Sequence, residues 1–454
     1  MNKELWSKIE KFDLDSPISK YGFSTRLSSE NFWTKSFTEQ AILEYKKFMY
    51  LAATNDLMVS PSETVDVVWH QHLIFTQSYN DFCTLIGKQI QHVPSTHNRE
   101  DFQKFKKAKE RTKELYEAEF GEQPLAIWDF KDMYESLNLV KAKLKLRTFI
   151  IIGILAFIAL AVPLYFLLRP IYISINNPNF MFYYIGLCFI VFLGLEFYNK
   201  IKLKQIIQAS DKNSFIFNLQ PYELVYMKRQ NISPVIVGVL SELLENKSIK
   251  LDADNNNLIE IDTIMVSTNS KEQIQTISEI SILESTTFKP LIGNLISKPI
   301  FENYSNCINA FAKYFKKSEK FAKLFYLNFS LLSALTMIGT LRLITGTLRD
   351  KPVIIIATTV GLLTFLIIFY LHRLTKLVCT ETVPDLYENE ILPNRQVKDN
   401  WQWSYFLFGN TVLVSSIIPV AMNVSWNKND DWDSCSSCGS SCGSSCSSCG
   451  GCAD

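Results

Sequence analysis

The chain has 454 residues and a formal net charge of +1, with 46 Lys and Arg against 45 Asp and Glu. That length allows two or three domains, and so even a balance excludes a global field that would draw in nucleic acid or an acidic partner. Hydrophobic residues make up 47% of the chain but are unevenly distributed, so the elements are taken in chain order.

The opening MNKELWSKIEKFDLDS is polar and of mixed charge, without the apolar core of a signal peptide. The N-terminal region is therefore expected in the cytosol. Residues 1–135 read as a soluble helical domain. AILEYKKFMYLAA (41–53) sets Ile42, Tyr45, Phe48, Met49 and Ala52 at helical spacing. SPSE at 60–63 is a helix start, with Ser60 as cap, Pro61 in the first helical position and Glu63 closing a capping box. The helix then carries Val65, Val68, Trp69, Leu73, Thr76, Tyr79 and Phe82 as far as Gly87. A third helix, over roughly 100–120, ends at Gly121, which suits a left-handed cap. Three helices with one apolar face each make a compact bundle.

Beyond residue 135 the pattern becomes that of a bilayer. Residues 148–168 (TFIIIGILAFIALAVPLYFLL) carry no charge and are long enough to span. Residues 180–198 follow with Glu196 near their end, and the two make a transmembrane hairpin over 148–198. Lys141, Lys143, Lys145 and Arg147 precede the hairpin and Lys200, Lys202 and Lys204 follow it, which places both flanks in the cytoplasm. Residues 201–323 are soluble again and belong to the same side. A second apolar pair over 324–372 is joined by RLITGTLRDK, a basic loop at odds with an outside location. Residues 404–422 are a candidate fifth span, bracketed by Trp401, Trp403 and Trp426 but weakened by Asn410, Thr411, Ser415 and Ser416. The fold class is thus mainly α, in a multi-pass protein of the cell membrane, with the lipid bilayer as its first partner.

Within 201–323, a short helix at 221–228 precedes a start at Ser233 and Pro234, and IKLD and LIEI then flank DADNNN as strand, turn and strand. Helix, helix and hairpin in that order read as a small α+β winged-helix-like module. Its second helix offers Glu242 and Glu245 and no basic residue before Lys247. Duplex affinity comes largely from neutralising phosphates, so no nucleic acid is expected here and a protein partner is.

The chemistry-bearing cluster lies in VDVVWHQHLIFT (65–76). Of five histidines, His70, His72, His92 and His97 fall within about thirty residues. On a helix His70 and His72 point about 200° apart and cannot share an ion, whereas Asp66 and His70 share a face, as do His72 and Thr76. A carboxylate beside an imidazole fixes its tautomer and raises its basicity, which serves a metal ligand or a general base. A loop carrying His92 and His97 could fold back over this helix, so Asp66, His70, His72 and His92 are candidate ligands for zinc or iron. The competing reading is a buried hydrogen-bonded corner of Asp66, Trp69 and His70. No Ser/His/Asp or Cys/His constellation is present, nor any Walker loop or GxGxxG motif.

VSPSETVDVVWHQHLIFTQSYNDFC and GKQIQHVPS, with FSTRLSSENFWTKSF before them, resemble the N-terminal domain of the glycine-rich domain-containing protein-like family. Its pattern falls on Asp66, Trp69, His70, His72, Thr76, Tyr79, Phe82, Cys83, His92 and Pro94, over residues 15–130. LQPYELVYM and GTLRLITGTLRDKPV are similar to bacterial membrane proteins that join such a middle module to membrane spans and a Gly- and Cys-rich tail. Neither resemblance implies a settled reaction.

Residues 427–454 form a Cys/Ser/Gly-rich tail whose end, SCSSCGSSCGSSCSSCGGCAD, has no apolar residue beyond Ala453 to build a core. Cys435, Cys438, Cys442, Cys446, Cys449 and Cys452 recur every third or fourth residue, with CxxC spacing that suits tetrahedral zinc. The same regularity suits disulfides or lipid attachment. The remaining Cys83, Cys188, Cys307 and Cys379 are expected to be reduced, buried small hydrophobes. Taken together, the sequence reads as a membrane-tethered binding or scaffold protein with candidate metal sites. The alternative is a metal-dependent enzyme built on Asp66, His70 and His92, which requires those residues to converge beside a cavity. Transport is weakly supported, since the spans hold almost no ionisable residue beyond Glu196.

Overall fold

Short polar caps start the N-terminal helices. Asn2 accepts the Leu5 N–H at the head of α1 (Lys3–Lys11), and Thr34 accepts that of Phe37 at the head of α3 (Lys35–Thr54). Between them lies α2 (Phe23–Asn31). The computed structural model describes residues 2–16, 19–93, 99–251, 257–261, 270–282, 286–395, 400–415 and 417–418. Pro94, His97, Trp426 and all six tail cysteines lie outside the described residues.

The expected helix from Ser60 to Gly87 is in fact two. Ser62, rather than Ser60, caps α4 (Glu63–Ile74) by accepting the Val65 N–H at 3.2 Å. Phe75, with φ −86° and ψ 64°, then breaks the run, and α5 (Thr76–Ile86) sets off in a new direction. The break is stabilised by burying an aromatic face, because the Phe75 ring meets Phe23 edge-on at 5.6 Å. It also lets Tyr79, Phe82 and Cys83 face the same core as Val65 and Val68. Gly87 (φ +73°) and Gly121 (φ +85°) terminate α5 and α6 (Arg99–Phe120) in the left-handed region that glycine adopts without steric cost. A single turn, α7 (Leu125–Trp128), follows. Buried Glu44 ties α6 and α7 to α3 by accepting hydrogen bonds from Tyr116 Oη at 2.8 Å and Trp128 Nε1 at 2.7 Å.

Among the described residues, four helices are long and apolar enough to cross a bilayer: α8 (Leu146–Ser174), α9 (Asn177–Gln208), α15 (Glu319–Thr347) and α16 (Ile354–Leu374). Their 21 to 32 residues correspond to roughly 30–48 Å of helix, against a hydrocarbon core of about 30 Å. Leu155, Phe166, Phe182, Phe189, Ile354 and Phe365 are all exposed on these helices, an apolar surface of the kind a bilayer covers. Inside the bundle the polar groups are satisfied. Asn199 and Asn328 exchange amide hydrogen bonds at 2.8 Å, Asn199 also donates to Tyr370 Oη at 2.9 Å, and Tyr172 and Tyr184 donate to the carbonyls of Ile338 and Leu335. Glu196 is not a free carboxylate in the span. Arg373 grips it with two bonds, at 2.8 and 2.9 Å, and also reaches Glu381 at 2.6 Å.

The middle region runs α10 (Pro221–Arg229), α11 (Ser233–Glu245), β1 (Ile249–Leu251), β2 (Asn257–Ile261), α12 (Lys271–Ile282), β3 (Thr286–Thr287), α13 (Phe288–Ile296) and α14 (Pro299–Lys316). The three short strands form one antiparallel sheet in the order β1-β2-β3. The fold is therefore mainly α. α11 is buried along most of its length, with Gly238 lying against the rings of Tyr222 and Tyr405. After α16 a helix of mixed pitch, 378–394, contains the α turns α17 (Val383–Leu386) and α18 (Leu392–Asn394) between π turns. The start of the candidate fifth span is only the eight-residue α19 (Trp401–Phe408), which stops at Gly409 (φ +60°). It packs on α10 and α11, and Tyr405 Oη donates to the Pro234 carbonyl at 2.8 Å. Trp401 stacks on Tyr405 and Trp403 on Tyr387, while residues 416 and 419–422 of the candidate span lie outside the described residues.

One apolar core runs through both soluble regions, from Ile9 and Phe48 to Leu240, Phe311 and Ile417. Lys35 marks the polar seam between them. Its backbone N–H donates to Glu223 at 2.8 Å and its ammonium to Glu272 at 2.9 Å. Burial works to raise both carboxyls. For Glu223 it prevails over the N–H groups of Gln220 and Lys35 and lifts the group to about 7. For Glu272 it is outweighed by the Lys35 ammonium and the Tyr304 hydroxyl, which hold the group at about 2.

The tightest packing within the bundle is at Gly339, where a Cβ would meet the Tyr184 phenol and sit 2.7 Å from Val360. Gly339→Leu should therefore cost about 1–3 kcal/mol or more by overpacking, read as a fall in Tm of the detergent-purified chain. Gly194→Ala, whose added Cβ meets nothing within 4 Å, should not lower Tm.

Candidate metal centre

Asp66 stands in the first turn of α4 and His70 one turn later, so the helix alone brings His70 Nε2 to 3.3 Å from Asp66 Oδ2. The third residue is delivered by chain reversal. After Gly87 the backbone returns along α4, and Lys88 Nζ hooks it to the carbonyls of Ala52 at 2.9 Å and Asn55 at 2.6 Å. Tyr79 Oη holds the same segment by donating to the Ile90 carbonyl, while itself accepting from Trp69 Nε1 at 3.2 Å. His92 then lands edge-on to Trp69, with ring centroids 4.6 Å apart, and its Nε2 lies 2.9 Å from Asp66 Oδ1.

The rings of His70 and His92 are 4.4 Å apart, and one donor atom from each of Asp66, His70 and His92 lies within 4.8 Å of the other two. Among the described residues this is the one group of three or more His, Cys, Asp and Glu side chains so arranged. Its side chains are graded in exposure, at 18% for His92, 33% for Asp66 and 54% for His70. They open on a cleft of about 560 Å³ that Glu63, Trp69, Lys88 and Phe105 also line. Two imidazoles and a carboxylate are three donors, a set that would suit zinc or iron and is one short of a closed tetrahedral site. Glu63 lies on the helical face of Asp66, one turn earlier, and Asp56 is a second carboxylate among the lining residues.

His72 stands apart from the three. It is fully buried, with Nδ1 2.7 Å from Tyr45 Oη and Nε2 3.2 Å from Ser78 Oγ. Phe23, Tyr45, Tyr79 and Phe82 surround the ring at 5.2–5.6 Å. Burial, only partly offset by Ser78, lowers its pKa to about 4 and leaves the imidazole neutral. Its partner is Ser78 rather than Thr76 because the helix breaks at Phe75. The hydrogen-bonded corner expected around Asp66, Trp69 and His70 thus forms around His72. Trp69 and Tyr79 stand in the family pattern, but their roles as platform and latch, and that of Lys88 as hook, depend on the chain reversal and had no sequence signal. Cys83, Cys307 and Cys379 are free and buried, and burial pushes the Cys379 thiol up to about 12.

Because folded His72 refuses a proton that the unfolded chain accepts below pH 6.5, its contribution to stability is present above that pH and is lost as pH falls toward about 4. His72→Leu should lower Tm at pH 7 by the equivalent of about 1–3 kcal/mol, since Tyr45 and Ser78 lose their partner. The gap between wild type and variant should narrow as the melts are repeated from pH 6.5 to about 4; a constant gap would show that His72 does not titrate this way.

Residues 22–117 match the model of a family described as UCP032817-like. Two curated proteins of Arabidopsis thaliana are similar over 121 residues: Glycine-rich domain-containing protein 1, at 29% identity, and Glycine-rich domain-containing protein 2, at 30%. The matched stretch is 25% of this chain and 15% of each relative. No solved structure matches the chain. The likeness to glycine-rich domain-containing proteins therefore covers the N-terminal helical region that carries Asp66, His70 and His92.

Proposed function

We propose that this is a membrane-anchored protein whose N-terminal domain holds one zinc or iron ion on Asp66, His70 and His92. The open side of that ion faces the cleft and takes a small ligand there. The observation that carries the reading is the convergence of the three side chains at one end of a cleft, with no fourth donor among the described residues closing the set. A closed structural zinc site uses four protein ligands, which argues against a purely structural ion. When bound, the metal would supply Lewis acidity to a ligand oxygen. Asp66 would serve as the anionic ligand, and Trp69 would keep the His92 ring in place. A second reading, a metal-dependent enzyme, is favoured by one observation: Glu63 lines the same cleft from the face of Asp66, where a general base would be needed.

The lysines flanking the spans support a multi-pass arrangement in the cell membrane with both soluble regions in the cytoplasm. We read 201–323 as a winged-helix-like module that binds protein rather than nucleic acid. Burial of α11 beneath α19 supports this, since a covered helix cannot enter a major groove. The Cys-rich tail is read as a second, thiol-based metal binder.

The test is elemental analysis of the full chain purified in detergent, on a background with the six tail cysteines changed to Ser. About one equivalent of zinc or iron is expected. His92→Ala and Asp66→Asn should each lower metal affinity by about tenfold or more, whereas His72→Leu should retain it. A folded chain without metal, or metal retained in both site variants, would reject the proposal.

A further inference from the structure

The far end of the membrane bundle, where α8 turns into α9 and α15 into α16, carries a second cavity of about 200 Å³. Ile175, Asn177, Arg342, Arg349, Lys351 and Val353 are among the residues that line it, and no carboxylate does. Arg342 is buried within α15. It donates to the Tyr172 carbonyl, to the Ile175 carbonyl at 3.0 Å and to Asn177 Oδ1 at 3.0 Å. These three acceptors are neutral, and the face of the Phe180 ring lies 4.9 Å from the guanidinium, so the charge meets dipoles and a ring but no carboxylate among the residues that line the cavity. Arg349 and Lys351 add two more cations at the rim, and among the described residues neither pairs with a carboxylate.

Two helix N-termini point the same way. α9 starts after Asn176 and α16 after Val353, and neither has a side-chain cap. Asn176 and Asn177 at the head of α9 and Val353 at the head of α16 are among the lining residues, so the positive ends of both dipoles lie at the pocket walls. The cavity is below the roughly 300 Å³ at which pockets for drug-sized ligands begin, so it suits a single compact group. Its depth is informative as well. The 29 residues of α15 make about 43 Å of helix, more than the roughly 30 Å hydrocarbon core, which puts its last turns among lipid headgroups. A basic loop on the side of the membrane where positive charge is disfavoured thereby acquires a local cause.

We propose that Arg342, Arg349, Lys351 and the N-termini of α9 and α16 form a binding site for a phosphate-type anion, carried by a phospholipid headgroup or free in solution. The bound anion neutralises Arg342 and ties the α8–α9 turn to the α15–α16 turn. The test uses the full chain in neutral detergent, exposed to equal amounts of phosphatidylglycerol and phosphatidylcholine and observed by native mass spectrometry. In parallel, Tm is followed with and without inorganic phosphate. Arg349→Gln/Lys351→Gln is the main variant, because both residues are exposed at the rim and its unliganded Tm should match wild type. Arg342→Gln, which also loosens the turn, is the second.

Wild type should retain the anionic lipid over the neutral one by about tenfold or more, and the double variant should lose that preference. Preference that survives washing in phosphate-free buffer assigns the site to a headgroup. A rise in Tm with inorganic phosphate and no lipid preference, absent from the double variant, assigns it to a free anion. Equal retention of both lipids with no phosphate effect overturns the proposal, as does either effect persisting unchanged in both variants.

Discussion

The seam at Lys35 fixes the geometry of everything outside the membrane. A backbone N–H and an ammonium from one residue of α3 meet two buried carboxylates of the middle region, Glu223 and Glu272. Apolar side chains from both regions close around them in a continuous core. Buried carboxylates tolerate few arrangements, because each needs its donors at hydrogen-bond distance or pays for desolvation. The N-terminal helices are consequently held in one orientation relative to α10, α12 and α14. Since α14 runs into α15 through the Ser318 cap, that orientation is passed on to the membrane helices.

The same burial gives the seam an acid-base character. Glu223, raised to about 7 from an ordinary value of 4.5, contributes stability that is complete in acid and is lost as pH rises through neutrality. His72 has the opposite sign over nearly the same window, from 6.5 down to about 4. The two contributions therefore run against each other between about pH 4 and 7, one at a contact between regions and one inside the N-terminal bundle.

Much of this was legible in the sequence where causes are local. The four long apolar helices, the pairing of Asp66 with His70 at one helical turn, and the glycine stops at Gly87 and Gly121 follow from composition and period. The opposed directions of His70 and His72 also followed from helical geometry, but which of them enters the core did not. That choice depends on Tyr45 and Phe23, which come from other helices. The break at Phe75 is a tertiary event, stabilised by a ring contact with Phe23 that lies far outside any local window of sequence. The place of His92 likewise depends on Lys88 reaching carbonyls more than thirty residues back. Across 404–422 composition suggested a span, but the helix stop at Gly409 and the packing of Tyr405 on Pro234 depend on the backbone conformation and on α11, which composition does not carry. Glu196 looked solitary because its partner, Arg373, lies 177 residues away.

That last pair has a mechanical consequence. Arg373 on α16 holds Glu196 on α9 through both guanidinium nitrogens and Glu381 beyond the helix end, and Lys200 closes the ring at 3.1 Å from Glu381. A bidentate pair fixes direction as well as distance. Sliding α16 along its axis by even one residue, about 1.5 Å, would carry these atoms out of hydrogen-bond range together. The bundle is thus clamped against piston-like motion at one face of the membrane while its other face is joined through Arg342. Coupling between the two faces is left to tilting or rotation of the four helices as a unit.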